Sequence, residues 1–146
     1  MKLTFDLLPD TTWNNNIRNM MGVSEWDKLR KKVYKLYKLQ CGICKTKRKL
    51  QCHEIWKFDD EDHTQTLTGF IALCELCHAI KHIGFAKIQS DRGDIDWEVL
   101  VKHYCTVNKC RKEFFKSDYQ KALKMFERRS KYDWVVKIGD LKLSEI

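Results

Sequence analysis

The sequence has a single proline, Pro9, in 146 residues, and it shows no internal repeat and no low-complexity tract. Those absences exclude a proline-rich linker or a repeat array and favour one domain, or a small metal-stapled core with helical flanks. No apolar run is long enough to cross a bilayer, so no membrane association is expected. The first residues, Met1-Lys2-Leu3-Thr4-Phe5-Asp6, lack an extended apolar stretch and a small-residue cleavage site, and no signal peptide is expected. Seven cysteines without a secretory signal imply a reducing compartment, with the cytoplasm as the expected location and the thiols free or metal-bound. Acidic residues are missing from one long stretch, Lys28 to Lys49. It carries Lys28, Arg30, Lys31, Lys32, Lys35, Lys38, Lys45, Lys47, Arg48 and Lys49.

That stretch dominates a net charge of +8, which favours an anionic partner, most commonly nucleic acid. These ten side chains would contact phosphates and carry little sequence information. At 43% hydrophobic and 33% charged residues the core is thin, and a structural metal would help to hold it.

The cysteine spacing supplies such a metal site. Cys41-Gly42-Ile43-Cys44 and Cys74-Glu75-Leu76-Cys77 form two Cys-x-x-Cys pairs, the arrangement a closed tetrahedral Zn²⁺ site requires. Gly42 is expected to permit the tight turn of the first knuckle. Cys52, Cys105 and Cys110 read as small core residues. Three histidines are surplus to this site. His78 and His82 stand four residues apart, on one helix face, and His53 would come from a facing hairpin. Together they could form an open site for a catalytic divalent metal such as Mn²⁺, Ni²⁺ or Zn²⁺, or Mg²⁺ once a substrate adds ligands. His63 reads as an exposed loop residue, and no role is expected of His103.

Residues 1–23 read as an irregular arm. Ser24 looks like the N-cap of a helix from about Glu25 to Leu39, with Trp26, Leu29, Val33, Leu36 and Tyr37 at helical spacing. Leu50–Trp56 and Thr66–Leu73 read as strands flanking the acidic connector Asp59–Asp62. A helix through Leu76, Ile80 and Ile83 is expected to stop at Gly84, which completes a knuckle-strand-strand-knuckle-helix unit over residues 24–84. Residues 85–146 read as an extension of the same domain. It comprises a helix capped by Asp96, a second from Arg111 to Ser130, and an edge strand over Tyr132–Ile138. The fold class is α+β.

Phe70-Ile71-Ala72-Leu73-Cys74-Glu75-Leu76-Cys77-His78 and Leu50-Gln51-Cys52-His53-Glu54-Ile55 resemble the two halves of the HNH endonuclease family in its zinc-stapled form. The match runs from Cys41 to His82, about a third of the chain by rough count. The flanks are similar to uncharacterised bacterial and phage proteins labelled HNH endonucleases. The resemblance implies a ββα-metal (His-Me finger) core and metal-dependent hydrolysis of DNA phosphodiesters, in a bacterial or phage-infected cell. In the family pattern a metal ligand is followed by a general-base histidine. One alignment makes His53 the ligand and Glu54 the base, while the other makes His53 the base and Cys52 the metal-side residue. Gly69 stands where the family has its middle Asn. Two other readings stand beside the nuclease: a noncatalytic zinc module that binds nucleic acid, and a diverged scaffold acting as a protein-binding or inhibitory factor.

Overall fold

A three-stranded sheet in the order β1-β2-β3 is flanked by six α-helices among the described residues of the computed structural model, which are 2–13 and 17–138. Residue 1 and residues 14–16 of the expected N-terminal arm, and residues 139–146 of the expected C-terminal extension, lie outside them. In chain order the elements are a 3₁₀ turn at Asp10–Thr12, α1 (Ile17–Met21), α2 (Val23–Leu36), β1 (Leu50–Asp59), β2 (Thr64–Cys74), α3 (Glu75–Lys81), α4 (Ile83–Asp91), α5 (Trp97–Asn108), α6 (Lys112–Arg129) and β3 (Val135–Lys137). The expected α+β class is observed.

Strands β1 and β2 form an antiparallel hairpin whose register pairs Leu50 with Cys74 and His53 with Ile71, with a bulge between Ile55 and Trp56. The acidic connector makes the turn: the Asp59 carboxylate accepts from the N–H groups of Glu61 and Asp62 at 2.9 and 3.0 Å. Strand alternation sends side chains to two cores. On one face α2 packs Leu29 and Val33 against Leu67, Phe70 and Ala72, with Cys52 and Trp56 at the margin. On the other, Leu73, Cys74, Cys77, Ile80, Leu100, Tyr104 and Phe115 form the larger core. Strand β3 pairs in parallel with β2, which leaves β1 at the free edge of the sheet.

Four local expectations are corrected. Helix α2 begins at Val23 after Gly22 and ends at Leu36, so Ser24 is a first-turn residue rather than the cap. The chain then turns through Lys38 and Leu39, both with positive φ, and Leu36 and Leu39 are exposed. Gly84 stops no helix. His82 ends α3 and begins α4, and Gly84 lies within α4, where an added Cβ would approach Leu7 Cδ2 at 3.2 Å. The arm is less irregular than expected, since it holds the 3₁₀ turn and α1, and its start is anchored. Leu3 is 0% exposed, and its backbone is paired at both polar groups with the Asn108 side chain, at 3.0 and 2.9 Å. The Asp6 N–H donates to the Lys81 carbonyl at 2.8 Å. The helix capped by Asp96 is observed, with its carboxylate accepting from the Glu98 N–H at 3.0 Å.

Two candidate metal centres on one helix

The four cysteines come together because the hairpin register brings the end of β2 beside the chain entering β1. The Gly42 N–H donates to the Ala72 carbonyl at 2.8 Å, which pins the first knuckle to β2. A Cβ on Gly42 would lie 2.8 Å from Ile71 Cγ1 and from Tyr37 Cε1. Glycine is needed there for close packing, a different reason from the turn geometry expected. Each knuckle repeats one bond. The Cys44 N–H donates to Cys41 Sγ, and the Cys77 N–H to Cys74 Sγ, both at 3.5 Å.

The sulfurs of Cys41, Cys44, Cys74 and Cys77 all lie within 4.8 Å of one another, and Cys44 Sγ is 3.6 Å from Cys74 Sγ. With Zn–S bonds of about 2.3 Å, a tetrahedral site has S···S edges of roughly 3.8 Å. The cluster could therefore hold a zinc ion. Its protonation chemistry agrees. Hydrogen bonds from the Cys74 and Cys77 thiols to its sulfur pull the Cys41 thiol far below its ordinary range. Those same bonds push Cys77 far up and Cys74 up to about 11. A bound cation would relieve that competition by favouring thiolate at every position.

The imidazoles of His53, His78 and His82 form a second cluster, again with one ligand atom each within 4.8 Å of the others. Strand alternation turns His53 toward α3, and the helical repeat aligns His78 with His82. His53 Nδ1 is 3.2 Å from His82 Nε2. Two ligands on a tetrahedral cation with bonds of about 2.0–2.1 Å would be roughly 3.3 Å apart. Two other ring nitrogens are held by oxygens. His53 Nε2 donates to Asp6 Oδ2 at 3.0 Å, and His78 Nδ1 donates to Gln51 Oε1 at 2.5 Å. These bonds orient the two rings and leave the lone pairs of His53 Nδ1 and His78 Nε2 facing the cluster, the arrangement typical of histidines that ligate metal. Burial, followed by the neighbouring imidazoles, lowers His78 to about 3. Burial and His53 lower His82 to about 4. Both rings are therefore neutral and able to ligate at pH 7.

Asp6 was not legible as a site residue. Burial works against its ionisation, but the hydrogen bond from His53 and the charge of Lys81, whose Nζ is 3.3 Å away, outweigh it and keep the carboxyl below its usual range. His103, for which no role was expected, places Nε2 3.2 Å from Cys77 Sγ, beside the thiol cluster.

Glu54 is not among the converging groups. It points to the opposite face of β1 from His53, where Oε1 accepts from the Ile17 N–H at 2.7 Å and Oε2 from the Trp56 indole at 3.1 Å. Burial raises its pKa against the pull of those two donors. Cys52 shares that face, and burial followed by the Glu54 charge pushes its thiol up to about 12, so it does not join the trio either. His63 stacks on Tyr132 at 4.1 Å, at the far end of the hairpin. Of the ten basic residues, nine are exposed; Arg30 is half-buried and paired with Asp27 at 2.8 Å, and Lys28 lies 3.6 Å from Glu25. No helix among the described residues is long and apolar enough to cross a membrane. Comparison with family models, curated proteins and solved structures finds no match.

Proposed function

We propose that the chain is a metal-dependent endonuclease of the HNH kind that hydrolyses DNA phosphodiesters, with β1, β2 and α3 as its ββα-metal core. The observation that carries this reading is the imidazole trio. It has three imidazole donors at ligand spacing, two of them oriented by Asp6 and Gln51. In this reading His53, His78 and His82 hold the catalytic cation, and Cys41, Cys44, Cys74 and Cys77 hold a structural Zn²⁺. Three protein ligands leave a coordination position for substrate, unlike the four thiolates. A divalent cation held there supplies Lewis acidity to a phosphoryl oxygen. Asp6 makes Nδ1 of His53 more electron-rich, which serves a metal ligand and a proton acceptor alike. The exposed lysines of α2 and the first knuckle would hold the phosphate backbone.

Cleavage of plasmid and single-stranded DNA with Mg²⁺, Mn²⁺ or Ni²⁺ tests the proposal, comparing the wild type with His53→Ala and His78→Ala. Both variants are expected to lose cleavage. A His53→Ala protein that retains second-metal affinity identifies His53 as the proton acceptor, and one that loses it identifies a ligand. Cleavage that survives both substitutions refutes the site. Steeply salt-dependent DNA binding without cleavage under any metal refutes the nuclease and leaves a zinc module.

A further inference from the structure

A cavity of about 590 Å³ extends from the imidazole trio around the free edge of β1. That volume falls in the range of roughly 300–1,000 Å³ typical of pockets that engulf small ligands. Its walls are mostly apolar, and their character is aromatic: Trp13, Trp26, Trp56, Phe85 and Phe126 all line it. Trp13 is 59% exposed and lies parallel to Phe126, with ring centroids 5.9 Å apart and planes 13° apart. The indole N–H of Trp13 donates to the Leu8 carbonyl at 2.9 Å, and that of Trp56 to Glu54. With those donors satisfied inside the protein, the rings offer faces rather than hydrogen bonds, and a face is best matched by another flat π system. Arg18, which lines the cavity and is exposed, points the same way. The two carboxylates of the wall are engaged within the protein, Asp6 by His53 and Lys81 and Glu54 by the Ile17 N–H and the Trp56 indole, and the imidazole trio closes the other end. An occupant that is flat and aromatic in one part and anionic in another fits both.

We propose that this cavity is a nucleobase subsite and that the substrate is single-stranded or locally unpaired nucleic acid, one base stacking in the aromatic pocket while its phosphate lies at the trio. The assignment rests on the phosphodiesterase reading for the second half of that statement. Stacking on aromatic side chains is tolerant of sequence because every base has a π-face. A base inside a duplex is already stacked and paired, and must leave the helix to enter such a pocket. Sequence preference is therefore weak and strand preference strong.

Binding and cleavage are measured separately on the zinc-loaded full chain. Without a second metal, tryptophan fluorescence and anisotropy follow three probes of equal length at one salt concentration: a single strand, the same strand with abasic sugars throughout, and a hairpin duplex. The intact single strand is expected to quench tryptophan emission and to bind about tenfold or more tighter than the abasic strand, which keeps the phosphates and loses the stacking. Trp13→Ala is expected to abolish that preference and Trp13→Phe to retain most of it, with Phe126→Ala as a second route should the first variant fail to fold. Equal binding of intact and abasic strands, equal binding of duplex, or an unchanged preference in Trp13→Ala overturns the proposal. So does quenching by an apolar peptide where no oligonucleotide quenches. With Mn²⁺ added, cleavage indifferent to the bases sinks the subsite and keeps the nuclease. A base preference without cleavage of any substrate keeps the subsite and sinks the nuclease.

Discussion

The two clusters are built from adjacent residues and differ in kind. Cys77 and His78 are neighbours on α3, yet one faces a closed set of four sulfurs and the other an open set of three nitrogens. Three of the four cysteines are buried, and backbone N–H groups within each knuckle support the sulfurs. His53 and His78 take their support from distant side chains, and all three histidines line the cavity. The thiol cluster is therefore suited to holding the chain together, and the imidazole cluster to meeting something from outside. One helical turn serves both because successive residues on a helix point about 100° apart.

The largest effect should come from the closed cluster. Cys41→Ser or Cys74→Ser is expected to abolish the cooperative thermal transition followed by circular dichroism, because structural zinc binding is folding free energy of about 10–16 kcal/mol in small domains. Unchanged melting in both variants would show that the cluster does not staple the fold. His82→Ala should do the opposite. The transition is retained, while Co²⁺ titration loses the second, imidazole-type spectrum and leaves the thiolate charge-transfer band. A variant that loses both bands would mean the clusters are not separable.

Asp6→Asn ranks next. An amide can still accept from His53 but carries no charge, and weakening such a partner costs about 10–100-fold in metal affinity. Calorimetric titration of the second metal checks it, and an unchanged affinity would remove Asp6 from the site.

The pH response distinguishes the clusters further. His78 and His82 have folded values of about 3 and about 4 against an ordinary 6.5, so the unfolded chain binds more protons than the folded one. With the second site empty, their contribution is fully present above about pH 6.5. It is lost as pH falls toward the folded values, by up to about 1.4 kcal/mol per pH unit for each histidine. Urea unfolding between pH 6.5 and 5.5 should show this slope in the wild type and a flatter one in His78→Gln/His82→Gln. Equal slopes would contradict the burial of the trio.

The smallest effect is expected from Glu54→Gln. It keeps one acceptor for Ile17 or Trp56 and costs about 1 kcal/mol. Loss of all cleavage with normal stability would return Glu54 to the chemistry.

What the sequence showed and what it hid divide along the same line. Cys-x-x-Cys pairs and the four-residue step from His78 to His82 are local patterns, each set by the geometry of one turn. The strands and the Asp96 cap were legible for the same reason. Asp6 reaches His53 across 47 positions and His103 reaches Cys77 across 26, distances at which no spacing rule operates. The alternation of β1 could have separated His53 from Glu54 in advance, but only the packing of α2 and α3 determines which face is which. Gly84 was misread as a stop because its role is to let Leu7 of the arm pass.

The way the arm is held also sets an order of events during synthesis. Asp6 is made well before Asn108 and Ser130, yet the arm that carries it is tied to Asn108 through Leu3 and to Ser130 through the Asp10 N–H. At roughly 5–20 residues per second, several seconds separate the emergence of Asp6 from that of its last anchor. The cysteine cluster can close as soon as Cys77 has left the ribosome, whereas the carboxylate behind His53 is secured only once Ser130 has followed. A ribosome-bound chain can thus be folded around its thiol cluster before its imidazole cluster is complete.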